Sequence, residues 1–154
     1  MVARRGCPGT GAVGAIGEAT LEALLLTEGF ELFTPVVDSG VDFLAISPSG
    51  QMLRIQSKAR SEGRQFLWDI TFGQRNSIGA PTHYFFMHGT PPTDNYWLVP
   101  ESVVKKIWFT PKPKPGTKRV DMNRVVRELF QPFKKEAGFQ KALRWVAGTR
   151  YETP

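Results

Sequence analysis

The chain has 154 residues, of which 41% are hydrophobic and 22% charged, and these proportions exclude a wholly disordered chain and a fibrous repeat. A chain of this length can bury one sizeable core and is short for two. The 20 Lys and Arg residues outnumber the 14 Asp and Glu residues, and the resulting net charge of +6 favours an anionic partner such as nucleic acid.

Cys7 is the single cysteine of the sequence, which excludes an intrachain disulfide and a cysteine-built zinc site. A lone thiol suits a reducing compartment, so we expect a cytoplasmic protein. No apolar run approaches the roughly 18 to 20 residues that a membrane span requires, so we expect neither an anchor nor a targeting segment.

The chain opens with a Gly-rich stretch that contains Arg4 and Arg5. We predict that residues 1–13 form a flexible basic N-terminal segment and that residues 14–154 form a single domain. Residues 9–14 formally match the dinucleotide-binding pattern G-x-G-x-x-G. We reject that interpretation because no strand precedes them.

Next in the chain come a helix, several strands and further helices. Apolar spacing predicts an amphipathic helix from Gly14 to a stop at Gly29. A basic, Pro-broken loop is predicted over residues 109–119, followed by helices interrupted near Pro132. This order predicts an α/β (α+β) fold with a mixed sheet flanked by helices. Strands are predicted over residues 30–37, 41–47, 51–59, 65–71, 84–88 and 96–100, the first three as a meander, with a helix over 101–108.

The second and third predicted strands are joined by Pro48-Ser49-Gly50, which suits a three-residue hairpin loop with its glycine in the left-handed conformation. Such a loop sets the register of the two strands. Ser47 then faces Gln51, and Asp42 faces Gln56.

Side chains on a strand alternate between its two faces, so Gln56 and Lys58 share a face with Arg54 and Arg60. With Asp42 opposite Gln56, a carboxylate, an amide oxygen and an ammonium group come together. By itself this pattern is also typical of a solvated strand face with cross-strand ion pairs.

Glu18 in the first helix, Asp42 on a strand and Gln56-Ser57-Lys58 on the next strand follow an order that resembles the PD-(D/E)XK nuclease superfamily. The form it resembles is the variant in which Gln replaces the second acid. The sequence departs from the superfamily pattern at Val41, where that pattern has Pro. The resemblance implies a restriction-endonuclease-like mixed sheet.

The short chain and the aromatic strand over residues 96–100 are similar to small homing endonucleases of group I introns and to Holliday-junction resolvases. The resemblance covers residues 14–60 well and residues 80–108 loosely. No motif decides between a homing or restriction-like role, which reads bases, and a resolving role, which reads DNA shape.

The resemblance implies a DNA endonuclease that hydrolyses phosphodiester bonds with Mg²⁺, or with Mn²⁺ as the alternative ion. Asp42, Gln56 and Glu18 would be its metal ligands. Lys58 would orient the attacking water and stabilise the transition state. Since one small domain carries one site and a duplex has two strands, we expect a homodimer or a higher homo-oligomer.

Several of these residues also have ordinary structural interpretations. Asp38 is an alternative ligand, although its Asp-Ser-Gly setting is typical of a turn. Glu18 on its own is typical of an exposed helix position, with Glu22 one turn on. His83 and His88 flank an aromatic run and are interpreted as structural residues.

Basic residues outside the hairpin could follow the phosphates of DNA. For those on the last helix, a solvated helix face remains an equal alternative. Together with two hairpin arginines, the predicted DNA-binding set is Arg54, Arg60, Lys112, Lys114, Lys118 and Arg119, and the last-helix residues are Lys134, Lys135, Lys141 and Arg144.

The competing function is a non-catalytic DNA-binding protein that retains the nuclease fold, with Gln56 marking a degraded site. The presence of Asp42, Lys58 and Glu18 together argues against it.

Overall fold

A computed structural model describes residues 10–36, 39–71, 79–112 and 116–148. Its helices are α1 (Thr10–Thr27), α2 (Glu101–Val104), α3 (Arg124–Phe130) and α4 (Glu136–Leu143), with a short 3-10 turn (Gln131–Phe133) between the last two. Its strands are β1 (Glu31–Phe33), β2 (Phe43–Ile46), β3 (Met52–Arg60), β4 (Leu67–Thr71), β5 (His83–His88), β6 (Tyr96–Pro100) and β7 (Thr117–Asp121). None of the described helices is long and apolar enough to cross a membrane.

The main sheet has five strands in the order β1-β2-β3-β5-β6. Strand β3 pairs antiparallel with β2 and parallel with β5, and the other pairs of this sheet are antiparallel. Strands β4 and β7 form a separate two-stranded antiparallel sheet. The predicted mixed sheet flanked by helices is therefore confirmed.

Two apolar clusters cover the two faces of the main sheet. The first joins α1 and α4 to one face, and its fully buried members include Leu21, Leu25, Leu53, Ile55, Phe85 and Leu98. The second joins the β4–β7 sheet, α2 and α3 to the other face, with Trp68, Tyr84, Phe86, Trp97, Val120 and Phe130 among its members. The sheet is thus the middle layer of three.

The meander of the first three predicted strands is confirmed, and the strand predicted over residues 96–100 has those bounds. Helix α1 begins at Thr10, four residues before the predicted start at Gly14. Of the predicted N-terminal segment, residues 1–9 lie outside the described part of the chain.

Two predictions made for the second half of the chain are wrong. The helix predicted over residues 101–108 ends at Val104 and continues only as a turn. Residues 117–121, assigned to the basic loop and the helix after it, form strand β7 because they pair with β4 and bury Val120. Local composition did not reveal this pairing because its partner lies about 50 residues earlier.

Helix α1 approaches β3 closely at Gly17. A Cβ added there would lie 2.6 Å from the Cβ of Ala59 and 3.5 Å from Oγ of Ser57, so any larger residue collides with the strand. A Cβ added at Gly14, one turn earlier, would meet nothing within 4 Å. Gly17 therefore sets the distance between the helix and the strand.

We expect Gly17→Ala to lower the free energy of unfolding by about 1–3 kcal/mol, because overpacking at the helix–strand contact exceeds the gain in helix propensity. Urea denaturation followed by circular dichroism measures the change. The matched control is Gly14→Ala, which should leave stability unchanged or raise it by up to about 1 kcal/mol. Equal effects of the two substitutions would contradict the close approach at Gly17.

Candidate active site

The β2–β3 hairpin has the register predicted from its turn. Leu44 lies opposite Arg54 and Phe43 opposite Ile55, where the pairing of the two strands ends. Asp42 lies one residue beyond this last pair, so its predicted position opposite Gln56 stays a prediction. In the turn, the Gly50 amide donates to the carbonyl of Ser47 at 2.8 Å, and Gly50 has the expected positive φ of 86°.

Asp42 stands at the point where the chain enters β2. Its amide donates to the carbonyl of Ile55 at 2.9 Å, and its Oδ2 accepts the amide of Ser57 at 2.6 Å. The carboxylate, not a main-chain carbonyl, thus receives this β3 amide. Such a hydrogen bond favours the ionised form of a carboxylate and fixes its orientation.

Gln56 is buried, with 7% of its surface exposed. On one side, a Cβ added at Gly40 would lie 3.8 Å from its Nε2. On the other side, the parallel register places Tyr84 of β5 beside it on the same face. A buried amide held between two strands can present its oxygen in a fixed direction.

Lys58 lies two residues beyond Gln56 and, by strand alternation, on the same face. It is partly buried, and its neighbour in the register is Phe86 of the second apolar cluster. A partly buried lysine beside an apolar neighbour has restricted motion, so its ammonium group is a positioned charge.

Glu18 follows Gly17 on α1, and its carboxyl lies within electrostatic range of Asp42. Its pKa is raised, first by partial burial and second by the negative charge of Asp42. The structure therefore places the helix acid and the hairpin acid within electrostatic range of each other. Two carboxylates in each other's field repel one another unless a proton or a cation lies between them.

These groups fit a divalent cation that prefers oxygen ligands. Asp42 and Glu18 supply two carboxylates within electrostatic range of each other, and Gln56 supplies a neutral oxygen. Within the described ranges, no group of three or more His, Cys, Asp or Glu residues is arranged to hold a metal. Asp38, the alternative ligand, lies outside the described residues.

The predicted DNA-binding residues differ in whether they already form hydrogen bonds or ion pairs within the fold. Arg54 donates from Nε to the carbonyl of Ala80 at 2.6 Å, and Arg119 forms a two-pronged ion pair with Asp69 at 2.7 and 3.1 Å. Both cations thus have partners within the fold. The remaining members are Lys118, which donates to Thr110 at 2.7 Å, exposed Lys112, partly buried Arg60 and Lys114, which lies outside the described residues.

The last-helix cations and the two histidines also have defined places. Lys134 and Lys135 precede α4 rather than belonging to it, and Lys135 pairs with Asp94 at 2.9 Å. His83 is fully buried, which lowers its pKa to about 3, and its Nδ1 lies 3.0 Å from Oγ1 of Thr82. Neutral imidazole at this position fits the predicted structural role.

Sequence analysis did not identify Tyr84 and Glu101 as neighbours of the site. Tyr84 is buried beside Gln56, and its pKa is raised first by burial and second by the charge of Glu101. Glu101 begins α2 and pairs with Lys105 at 2.7 Å. These residues come near the hairpin only through the parallel β3–β5 pairing, which no local motif reveals.

No protein-family model matches the sequence, and neither does any curated protein. Among solved structures, the bacterial homing endonuclease I-Ssp6803I is similar to this chain with a TM-score of 0.59. The match covers 89% of this chain and 95% of that one at 12% sequence identity. The chain has a nuclease-like fold. At this identity the similarity concerns the fold alone, and it spans nearly the whole length of both chains.

The pair formed by Glu18 and Asp42 predicts a pH-dependent effect of Glu18→Gln. A carboxyl whose pKa is raised on folding destabilises the folded state once it ionises, and this effect is lost below the ordinary pKa of 4.5 because both states are then protonated. The metal-free variant should therefore melt above the native chain at neutral pH. The difference should shrink as the pH falls through 4.5.

Differential scanning fluorimetry in a chelating buffer measures this effect. Glu22→Gln is the matched control, because Glu22 is an exposed glutamate one turn further along α1. If both variants shift the melting temperature equally at every pH, the interaction of Glu18 with Asp42 is absent.

Proposed function

We propose that the protein is a divalent-metal-dependent DNA endonuclease of the PD-(D/E)XK type. The observation that carries the proposal is the electrostatic proximity of Glu18 on α1 to Asp42, at the start of the hairpin whose second strand bears Gln56 and Lys58, in a nuclease-like fold. Placing two acids within electrostatic range of each other is unfavourable for stability. Groups kept in place against stability are typical of a functional site.

A bound Mg²⁺ or Mn²⁺ ion would supply Lewis acidity at the scissile phosphate and lower the pKa of a coordinated water. Asp42 would be a direct ligand of the ion, and the Ser57 amide orients its carboxylate. Glu18 contributes the second negative charge, and Gln56 contributes a neutral oxygen. Lys58 would hold the attacking water and stabilise the negative charge of the transition state.

The proposed substrate is DNA, and the net charge of +6 supports an anionic partner. Two cleavages of a duplex would require two sites, so we propose a homodimer or a higher homo-oligomer. Homing, restriction-like and junction-resolving roles all agree with this site. The single cysteine agrees with action in the cytoplasm.

A non-catalytic DNA-binding protein is the second candidate, and one observation favours it. Gln56 occupies the position where the superfamily pattern has its second acid, so the site holds one negative charge fewer. Such a protein would keep its affinity for DNA without cutting it.

We expect the native chain to nick plasmid or branched DNA in Mg²⁺ or Mn²⁺ and to be inactive in a chelator. Asp42→Asn and Lys58→Met should each lower the single-turnover rate roughly 100- to 1,000-fold, the effect of removing one positioned transition-state contact. Agarose-gel assays of supercoiled plasmid measure nicking, and cleavage of a labelled four-way junction distinguishes a resolving role.

Lys105→Met is the matched control for loss of one lysine, because Lys105 is exposed and pairs with Glu101. It should cut at the native rate. A native chain that binds DNA but never cuts it in either metal would establish the non-catalytic candidate. Native rates in both site variants would show that the chemistry lies elsewhere.

A further inference from the structure

A stack of three side chains stands on the site-bearing face of the sheet, near the carboxyl end of β5. The ring of Phe66 lies on the imidazole of His88, with centroids 3.7 Å apart and planes 12° apart. The guanidinium carbon of Arg127 lies 4.2 Å from the centroid of the same ring. Since His88 occupies one side of the ring, Arg127 must lie on the other, at the outer end of the stack.

The stack is held rigidly at its base. Phe66 has edge contacts with Trp68 and Trp97, at centroid distances of 6.2 and 6.4 Å. His88 is buried, and its Nε2 lies 2.8 Å from the carbonyl of Arg64, so this nitrogen carries the hydrogen and donates. Neither ring can turn without disturbing the core.

Arg127 is held at two points although it is exposed on α3. The ring of Phe66 supports the guanidinium plane, and Nε donates to the carbonyl of Met122 at 2.8 Å. No acidic side chain in the described part of the chain pairs with it. Because Arg127 is exposed and its guanidinium is restrained at these two points, its terminal amino groups are suited to an oxyanion with two acceptor atoms.

This arginine lies beyond Lys58 on the same face of the sheet. Lys58 is paired with Phe86 and Arg60 with His88. Arg60 therefore lies on the same face of β3 as Gln56 and Lys58, next to the histidine of the stack. At about 3.3 Å per residue, Arg60 lies roughly 7 Å along β3 from Lys58. One DNA strand carries about two phosphates over that length of helix axis.

We propose that Arg127, supported by the Phe66–His88 stack and joined by Arg60, binds a DNA backbone phosphate that flanks the scissile one. This inference rests on the proposed function and adds a contact to it. Because the guanidinium is already immobilised, binding costs little side-chain entropy, which favours a well-defined contact over a diffuse one. Glu62, in the turn after β3, has its carboxylate close to Gly89, where an added Cβ would lie 3.3 Å from its Oε1. The basic surface therefore ends at this negative charge.

The test measures DNA affinity as a function of salt concentration in a chelating buffer, by fluorescence anisotropy with a labelled duplex. Arg127→Gln should weaken binding about tenfold, as expected for loss of a charged hydrogen bond. It should also reduce the slope of log K against log salt by about 0.9, because one fewer phosphate is neutralised. Arg124→Gln is the matched control, since Arg124 lies on the same helix and pairs with Glu128 at 3.2 Å.

The variant Phe66→Leu distinguishes the charge of Arg127 from the aromatic ring that supports it. It keeps Arg127 and should weaken binding while leaving the salt slope unchanged, provided that circular dichroism shows the native fold. If Phe66→Leu does not fold, the comparison of Arg127→Gln with Arg124→Gln decides the matter alone.

Equal affinities and slopes for Arg127→Gln and Arg124→Gln overturn the inference, and the proposed nuclease function then still stands on its cleavage assay. Loss of cleavage in Arg127→Gln at saturating DNA, with no change of salt slope, also overturns it. A native chain that binds no DNA at any salt concentration overturns the proposed function and this contact with it.

Discussion

Strand β3 must pair with two neighbours that run in opposite directions, and both the core and the candidate site depend on its doing so. Its antiparallel pairing with β2 brings the Asp42 carboxylate to the Ser57 amide, and its parallel register with β5 places Tyr84 beside Gln56. The alternation of β3 then sends Leu53 and Ile55 into one apolar cluster while Gln56 and Lys58 face the other layer. Gln56 and Lys58 thus lie on a strand whose opposite face is fixed in the apolar core.

The contact between α1 and β3 shows how stability and function meet at one residue. Without a side chain at Gly17, the helix lies close enough to β3 for Glu18 to enter the field of Asp42. The helix loses some intrinsic propensity through this glycine, and the two carboxylates add electrostatic strain. Gly17 and Glu18 thus both lower the stability of this part of α1. The burial of Leu21 and Leu25 in the following turns offsets the loss.

The sequence was sufficient to predict those features that depend on residues close together in the chain. The turn at Pro48-Ser49-Gly50 determines the hairpin register, so the pairing from Phe43–Ile55 to Ile46–Met52 could be predicted from the sequence. Strand β7 could not, because its composition resembles a basic loop and only pairing with β4 makes it a strand. The stack that carries Arg127 escaped prediction for the same reason: Phe66, His88 and Arg127 are brought together by long-range packing, which no spacing in the sequence encodes.

The tight turn between β2 and β3 restricts how this chain can vary over evolutionary time. Its hydrogen bonds are a 2.8 Å bond from the Gly50 amide to Ser47 and a 2.9 Å bond between the Ser47 amide and the Gln51 carbonyl. Inserting or deleting one residue here would shift the two strands by one position, and every side chain of one strand would then exchange faces relative to the other. Related sequences can therefore vary in this turn, except at the left-handed position of Gly50, but they cannot change its length. A related chain with an insertion or deletion at this turn would have lost the register that brings the Asp42 carboxylate to the Ser57 amide.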